Sequence, residues 1–387
     1  MADLLITSPR LFYQTKSGNK EITKDIAAFL ESFSYTDKTK DEVDEISLTL
    51  QDISGTWRGP WIPRKGDIIT ALIVQARGGK VVGTLFCGKF TIDSMSASGP
   101  PSKFEIKAVG VPFGSEFRRT RKSMAWEGVY LKDIAATVTA RSKISLTWES
   151  SVNPYYRRED QKRESDAAFL QRLCQEAGLA MKVTADRCFI FDQEDRDKRP
   201  AIRTIWLTTE DLQRPTLTPD NTGGPGSLIS WDMSTKLTEE TKEAKVSYND
   251  PKTGEVFLGR AEDMMADPKG QVIHLVKRAT SMSEAQRLAE SELKKRNKLK
   301  IDGNLTLVGD VSLCAGQNID LRGFGWFDGK YSIEESSHQL NPYRTSIKIR
   351  NIEAPAEEKK KNSKKSSSSQ KKKEDDKKTE QDKNKKK

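Results

Sequence analysis

The sequence of 387 residues has few of the side chains that build metal and nucleophilic sites. It contains four isolated cysteines and two histidines, His274 and His338. Scattered cysteines of this kind are typical of buried thiols in a reducing compartment, rather than of a disulfide framework or a zinc site. A histidine-based metal cluster and a histidine-dependent triad are not expected from two histidines in unrelated contexts.

Long apolar runs and enzyme motifs are also missing. No stretch approaches the roughly 18 apolar residues of a membrane helix, so no membrane-spanning segment is predicted. The first residues, 1–5, do not combine a basic segment with an apolar run, and no signal peptide is expected. The GxSxG, HExxH, Walker-type and GxGxxG patterns do not occur in the sequence. We therefore predict no catalytic, cofactor-binding or metal-binding residues, and no cofactor.

Positive charge is concentrated at one end of the chain. Residues 357–387 hold 14 lysines against seven acidic residues, whereas the rest holds 52 basic against 49 acidic residues. Because residues 356–387 are lysine-rich, of low complexity and almost free of apolar side chains, they are predicted to be a disordered basic tail. The tail contains no aromatic residues that could stack on bases, so sequence-specific nucleic-acid binding is not predicted.

Residues 1–98 have the pattern of a small antiparallel β-barrel or β-sandwich. In the clearest strand, Ile46, Leu48 and Leu50 alternate with polar residues, which predicts that one face is buried. Gly78-Gly79 is typical of a hairpin turn. The acidic residues before the clear strand, 41–45, are interpreted as a solvated approach to it.

Residues 99–200 are predicted to form an α+β middle domain. Ser165 is a typical N-cap and Gly178 a typical C′ residue for a helix between them, and a hairpin follows over 179–191. The basic run Arg118–Lys122 is interpreted as a solvated loop, with an electrostatic contact to an acidic partner surface as the alternative. The fold class is therefore mainly β with an α+β insertion.

Residues 201–355 are predicted to form a second antiparallel β-barrel with one packed helix, and with room for an insertion near 250–275. Ser281 and Glu284 have capping-box spacing at the start of this helix. His338 is interpreted as a hydrogen-bonded structural histidine, and 218–226 as a loop. The two β portions are similar in length, which suggests an internal duplication, but their sequences do not align residue by residue.

Four segments, taken in order, carry a family resemblance. They are Asp44–Asp52; Gly66-Asp67 with Cys87–Asp93; Gln161–Leu173, which has the pattern Q-x-x-E-S-D-x-x-F-L-x-R-L; and a final set made of Ala285–Arg296, Gly309, Gly316, Gly323–Tyr331 and His338. Together they resemble the late control protein D family of phage tails, which are baseplate hub proteins related to the hub portion of type VI secretion spike proteins. The resemblance covers about residues 20–352.

The resemblance implies a structural protein, not an enzyme, at the baseplate centre of a virion or tail-like particle made in the host cytoplasm. Such hubs are homotrimers with two tube-like β-barrels per subunit, which adapt a threefold central spike to a sixfold tail tube and initiate tube assembly. The implied partners are further copies of the chain, the spike protein and the first ring of tail tube protein, with the tape measure and baseplate wedge proteins as further candidates. Apolar side chains on several strands should then be exposed in an isolated subunit.

Two other functions stay open at this point. A peptidoglycan-degrading tail-tip enzyme would need a buried acidic residue as its general acid. A nucleic-acid-binding protein would act through the lysine-rich tail.

Overall fold

A computed structural model describes residues 5–15, 18–40, 42–110, 116–207, 227–235, 241–249, 254–263, 270–277, 279, 281–297 and 301–352. The predicted tail at 356–387 and the predicted loop at 218–226 lie outside these residues. The described chain is mainly β, with large antiparallel sheets and few helices, which agrees with the predicted fold class. No helix of the described residues is long and apolar enough to cross a membrane.

The first part of the chain consists almost entirely of strands, namely β1 (Leu5–Thr15), β2 (Gly18–Glu21), β3 (Leu30–Lys38), β4 (Glu45–Gln51), β5 (Ile68–Arg77), β6 (Lys80–Ser98) and β7 (Lys103–Val109), with one short helix, α1 (Thr23–Ala27). The predicted strand at 46–51 is confirmed, since Ile46, Leu48 and Leu50 are buried in β4. The predicted hairpin at Gly78-Gly79 is also confirmed, and both glycines have the positive φ angles that such a turn requires.

The middle part mixes helices and short strands, in the order α2 (Glu116–Arg119), β8 (Arg121–Tyr130), α3 (Leu131–Arg141), β9 (Ser145–Glu149), β10 (Tyr155–Ser165), α4 (Asp166–Glu176), β11 (Ala180–Val183), β12 (Arg187–Phe191) and α5 (Gln193–Asp197). The predicted caps of α4 are confirmed. The Ser165 hydroxyl accepts a hydrogen bond from the Ala168 amide at 3.2 Å, and Gly178 has a φ of 76° just after the helix.

The last part contains β13 (Arg203–Trp206), β14 (Leu228–Thr235), β15 (Thr241–Asn249), β16 (Val256–Glu262), β17 (Gln271–Val276), α6 (Met282–Asn297), β18 (Ile301–Val308), β19 (Asn318–Arg322), a 3₁₀ turn (Gly325–Phe327), β20 (Gly329–Leu340) and β21 (Arg344–Asn351). The Ser281 hydroxyl accepts from the Glu284 amide at 3.2 Å, so the predicted start of this helix is confirmed. The helix packs on a separate three-stranded sheet, β16-β15-β17, which is inserted between β14 and β18.

One sheet of 13 strands runs through both β portions. Its order is β14-β18-β21-β20-β3-β4-β7-β6-β5-β1-β2, and β19 and β13 extend from β20. Strand β7 lies inside this sheet, so the first β portion extends to residue 110, past the boundary predicted at 98. Among the described residues the sheet is an open path with no closed barrel, and the two-barrel arrangement stays a prediction.

The main sheet contains the same strand order twice. The first half runs β3-β4-β7-β6-β5-β1 and the second half runs β14-β18-β21-β20-β19-β13. We call β1–β7 the N module, and β13, β14 and β18–β21 the C module. The final pairing differs between them, because β1 is antiparallel to β5 whereas β13 is parallel to β19.

The two modules also correspond residue by residue. The register between β6 and β7 shifts just after Ile92, and the register between β20 and β21 shifts just after Ile333. The amide of Gly66 donates to the Ile92 carbonyl at 2.9 Å, and the amide of Gly316 donates to the Ile333 carbonyl at 2.8 Å. On both sides of these points, each residue pair between β6 and β7 has a counterpart between β20 and β21 whose residue numbers are 241 higher. The internal repeat is therefore present in the backbone pairing, although it is not evident in the sequence.

Each part of the chain has its own apolar core. The N module buries one cluster around Phe33, Leu48 and Ile73, and the C module buries another around Tyr331. The middle part packs α3 and α4 against its small sheet, with Phe169 fully buried. The inserted sheet and α6 form a fourth cluster. Apolar contacts also cross the junction of the N and C modules, because Leu340 of β20 belongs to the N-module cluster and Val311 and Tyr343 pack against that cluster.

Candidate functional site: module junctions and exposed strand edges

Strand β20 joins the two modules. Its first residues pair with β19 of the C module, and residues 335–340 continue along the same edge by pairing antiparallel with residues 33–38 of β3. Strand β21 lies along its other edge. The modules are therefore connected edge to edge by main-chain hydrogen bonds within one subunit.

A buried ion cluster lies beside this junction and ties in the middle domain. The ammonium of Lys182, on β11, lies 2.5 Å from Asp37 Oδ1 and 3.1 Å from Asp44 Oδ1. The other Asp37 oxygen accepts a hydrogen bond from the Ala315 amide of the C module at 2.9 Å. One lysine and two carboxylates thus connect the N module, the middle domain and the C module.

Burial controls the protonation of this cluster. It raises the pKa of Asp44 to about 6, a rise that Lys182 opposes and the Asp37 carboxylate reinforces. Burial alone would lower the pKa of Lys182, but the two carboxylates outweigh it and the pKa is raised. The lysine therefore stays charged, and removing it would leave two acidic groups facing each other in a buried site.

The interpretation of residues 41–45 as a solvated approach is wrong for Asp44, which is only 6% exposed. The sequence did contain a signal. Asp44 has the same even-numbered phase as the buried residues Ile46, Leu48 and Leu50, so it continues the inward face of β4. Glu42 is exposed and pairs with Lys38, as a solvated residue would.

His338 is a hydrogen-bonded structural histidine, as predicted. It is fully buried; its Nδ1 lies 3.0 Å from the Tyr343 hydroxyl, and its Nε2 lies 3.1 Å from the Ser336 hydroxyl and 3.2 Å from the Leu313 carbonyl. Burial lowers the pKa of His338 to about 4. The imidazole is therefore neutral at physiological pH and serves the junction, because β20 carries it directly opposite β3.

A second polar junction holds the middle domain against the C module. The Asn318 side-chain amide donates to the carbonyls of Arg196, Asp197 and Arg199 at 2.8, 3.2 and 2.8 Å, so it satisfies the C-terminal end of α5. The guanidinium of Arg350, on β21, contacts both carboxylate oxygens of Asp197 at 2.9 and 3.2 Å. These contacts fix the orientation of α5 on the C module.

The interpretation of Arg118–Lys122 as one solvated loop is wrong. Arg118 and Arg119 end helix α2, and Arg121 and Lys122 begin strand β8. The Lys122 ammonium lies 2.7 Å from the fully buried Asp166 carboxylate, so this lysine holds the start of α4. The run is thus divided between two elements, although Arg118, Arg119 and Arg121 are exposed, as the solvated interpretation expected.

The Q-x-x-E-S-D motif forms one connected network. The Gln161 amide donates to Asp166 Oδ1 at 3.0 Å and to the Glu164 carbonyl at 3.1 Å. The Arg172 guanidinium, from the following helix, contacts Glu164 at 2.9 Å and Glu159 at 3.0 Å. The motif therefore fixes the angle between β10 and α4 and belongs to the scaffold of the middle domain.

The cysteines are free thiols in the described structure. Cys87, Cys174 and Cys188 are buried, in agreement with the prediction of buried thiols, whereas Cys314 is half-buried. Burial raises the pKa of Cys188 and of Cys314 to about 12. Across the described ranges there is no group of three or more histidine, cysteine or acidic side chains that could hold a metal ion.

Apolar side chains are exposed on several strands, which confirms the expectation for an isolated subunit. Phe86 on β6 is 61% exposed and Trp231 on β14 is 40% exposed. Further exposed apolar residues lie on β1, β6, β13 and β16, namely Ile6, Val81, Val82, Trp206, Val256 and Leu258. Exposed apolar strands of this kind are typical of surfaces that other chains cover.

Comparison with known proteins finds similar sequences among curated proteins and similar folds among solved structures. The chain is 22% identical over 384 residues to the probable baseplate hub protein of Escherichia phage 186, which covers 88% of this chain and 93% of the relative. A tail protein from Neisseria meningitidis MC58 has a TM-score of 0.63 at 10% identity, covering 89% of this chain and 97% of that one. The 43 kDa tail protein of prophage MuSo2 from Shewanella oneidensis has a TM-score of 0.62 at 12% identity, covering 89% and 98%.

The two structures support the fold, and a family model identifies the protein class. The model of the phage tail baseplate hub (GPD) matches residues 108–343, which is more than half of the chain. That range includes the Gln161–Leu173 motif and His338, two of the features that carried the resemblance. The chain belongs to the phage tail baseplate hub (GPD) family, and it is a structural component of the phage baseplate rather than an enzyme.

Proposed function

We propose that three copies of this chain form a ring at the centre of the baseplate, which adapts a threefold central spike to the sixfold tail tube and initiates assembly of the tube. Each module contributes one tube-like β-barrel to this ring. The proposal assigns the chain no catalytic, cofactor-binding or metal-binding residues.

The observation that carries the proposal is the repeated strand order of the N and C modules. Three chains with two equivalent modules each can present six similar surfaces around one axis, while the remaining parts of the chain repeat only three times. A closed ring of this kind needs heterologous contacts, in which unlike edges of successive modules meet. The exposed apolar strands are the surfaces available for such contacts.

The partners follow from the two faces of such a ring. The face with threefold symmetry would bind the central spike protein, and the face with sixfold pseudo-symmetry would bind the first ring of tail tube protein. The tape measure protein and the baseplate wedge proteins are further candidates. For residues 356–387 we keep the prediction of a disordered basic tail and propose no sequence-specific nucleic-acid contact for it.

The proposal is tested by the oligomeric state and by nucleation of the tube. Mass photometry of the full chain, alone and with the spike protein of the same phage, should give a species of three times the 43.5 kDa subunit. Adding that species to purified tail tube protein should shorten the lag before tubes form, and spike protein alone is the control. A monomer at micromolar concentration with spike present, or an unchanged lag, would contradict the proposal.

A further inference from the structure

The junction inside the subunit has two unused counterparts. Within the chain, the end of β20 pairs with β3. By the module correspondence, the end of β6 is the counterpart of the end of β20, and β14 is the counterpart of β3. One copy therefore uses the end of β20 and the edge of β3 for its internal junction. It presents their counterparts, the end of β6 and the edge of β14, at its surface.

The pairing pattern shows that these counterpart edges are available. Strand β5 pairs with β6 only from residue 80 to residue 91, while β7 pairs with the opposite edge of β6 from 91 to 98. Within the described ranges, the sheet pairs β14 with β18 alone. One edge of the last residues of β6 therefore has no paired strand among the described residues. Residues 335–340 of β20 would be in the same state if β3 were removed.

Burial separates the used edges from the unused ones. Ser336, His338 and Leu340 on β20 are buried by the internal junction. Their counterparts are Met95, Ala97 and Gly99, which are half-buried or exposed. On β3, Phe33 and Tyr35 are buried, whereas their counterparts on β14 are the 40%-exposed Trp231 and the half-buried Met233. The two edges that pair inside the chain, on β20 and β3, are covered. The equivalent edges, on β6 and β14, are open.

We propose that the end of β6 in one copy pairs antiparallel with β14 of the next copy, in the register of the internal junction. This inference deepens the proposed trimeric ring and rests on it. The internal pairs Ser337–Thr36, His338–Tyr35 and Gln339–Ser34 translate into Ser96–Ser234, Ala97–Met233 and Ser98–Asp232 between copies. The partner is therefore a second copy of this chain.

The side chains at the new junction are complementary in size. The small residues Ala97 and Gly99 of β6 would lie opposite the large residues Met233 and Trp231 of β14, so the strands can approach without steric conflict. The pairing would cover Trp231 and bring unpaired main-chain groups of β6 into a ladder, which removes an edge that would otherwise promote aggregation. At every junction the end of β6 or β20 in one module would then pair with β14 or β3 in the next module. The contact is therefore heterologous and repeats in a single direction around a ring.

Disulfide formation between engineered cysteines tests the register of the proposed β6-β14 pairing directly. The Thr36 and Ser337 hydroxyls lie 3.5 Å apart across the internal junction, so the double variant Thr36→Cys/Ser337→Cys should form a disulfide within one chain. The counterpart pair is Ser96→Cys and Ser234→Cys. Mixing the two single variants under mild oxidation should give a disulfide-linked dimer on a non-reducing gel, at least tenfold more abundant than either single variant gives alone. The unmodified chain measures the background from its native cysteines.

The outcomes separate the register from the proposed function. A mixture of Ser96→Cys with Asp232→Cys, which is out of register by two residues, should give little dimer. If mass photometry shows a trimer and the internal control links, but the Ser96–Ser234 mixture gives no more dimer than the out-of-register mixture, then this interface is wrong and the trimeric ring stands. If every sample is monomeric with spike present, the ring and the interface are both wrong.

Discussion

His338 lies directly opposite Tyr35 across the strand pair that joins the two modules, with the ring centroids 6.0 Å apart and the ring planes within 16° of each other. Both side chains are buried, at 0% and 4% exposure. The Nδ1 atom lies near the hydroxyls of Tyr343 and Thr345, and Nε2 lies near the Ser336 hydroxyl. A protonated imidazole would carry a buried positive charge at this position, which is unfavourable, so the junction should weaken in acid.

The expected pH dependence follows from the pKa of His338, which burial lowers from 6.5 to about 4. Between these values the unfolded chain binds a proton that the folded chain does not bind, so stability falls as the pH drops through this window. The full difference is about 3 kcal/mol at 1.36 kcal/mol per pKa unit. Thermal unfolding of the wild type and of His338→Gln at pH 4.5 and pH 7.5 measures it, and the variant should lose less stability on acidification.

The control for this experiment is His274→Gln, because His274 is exposed on β17 and its replacement also removes one histidine. This variant should follow the wild type at both pH values. If His338→Gln loses as much stability on acidification as the wild type, then the neutral imidazole does not stabilise the junction.

Lys182→Met should be strongly destabilising. The substitution keeps most of the side-chain volume but leaves the buried carboxylates of Asp37 and Asp44 without their common cation. Removing one partner of a buried ion pair typically costs about 3–5 kcal/mol. Urea unfolding at pH 7 measures the loss, and Lys198→Met is the control, because its pair with Asp195 is exposed to solvent and should contribute little to stability.

A second variant distinguishes loss of the charge from loss of packing. Adding Asp37→Asn and Asp44→Asn to Lys182→Met removes the unpaired charges and should recover at least half of the lost stability. If the triple variant is no more stable than the single one, the cost comes from packing around Lys182 and the electrostatic account is wrong.

Local patterns made the individual elements predictable from the sequence. The alternation in β4 and the caps of α4 depend on residues close together in the chain, so their signals are complete within a short window. The ion cluster could not be predicted in this way. Lys182 and Asp37 are 145 residues apart, and nothing near either residue indicates the other.

For a related reason, only the similar lengths of the two β portions suggested the duplication, and no residue-by-residue alignment of the sequence supported it. The modules share strand order, and they share the register shifts of the β3-β4 and β6-β7 pairs with β14-β18 and β20-β21. These are properties of the backbone, while the residues at equivalent positions differ in chemistry. Tyr35 corresponds to Met233, and His338 corresponds to Ala97. The residues of the covered junction are specialised for burial beside the ion cluster, and their counterparts face a different neighbour, so sequence identity between the modules is low even where the pairing is the same.

Asn318 provides a test of the junction at α5. It begins β19 and corresponds to Ile68 of β5 in the N module, which has no α5 to hold. Asn318→Ile should cost about 1–3 kcal/mol, because three carbonyls lose a buried donor. Asn318→Asp should cost more, because it places a carboxylate beside the same carbonyls. Thermal unfolding gives the order of stability, and hydrogen exchange should show faster opening at 193–199. Equal effects of the two variants would contradict the donor role.

Gly259 on β16 is a position where the inserted sheet and α6 touch through their backbones. A Cβ atom at this position would lie 2.0 Å from the Ala285 carbonyl oxygen of the helix, far inside van der Waals contact. Gly259→Ala must therefore move α6 away from the sheet, at a cost of about 1–3 kcal/mol for overpacking. Hydrogen exchange should become faster in 282–297 and stay unchanged in the N module, whose core is separate.

Ser247→Ala on the neighbouring strand is the control, because Ser247 is exposed and the change adds no atoms. Unchanged protection of α6 in Gly259→Ala would mean that the helix does not rest on this glycine.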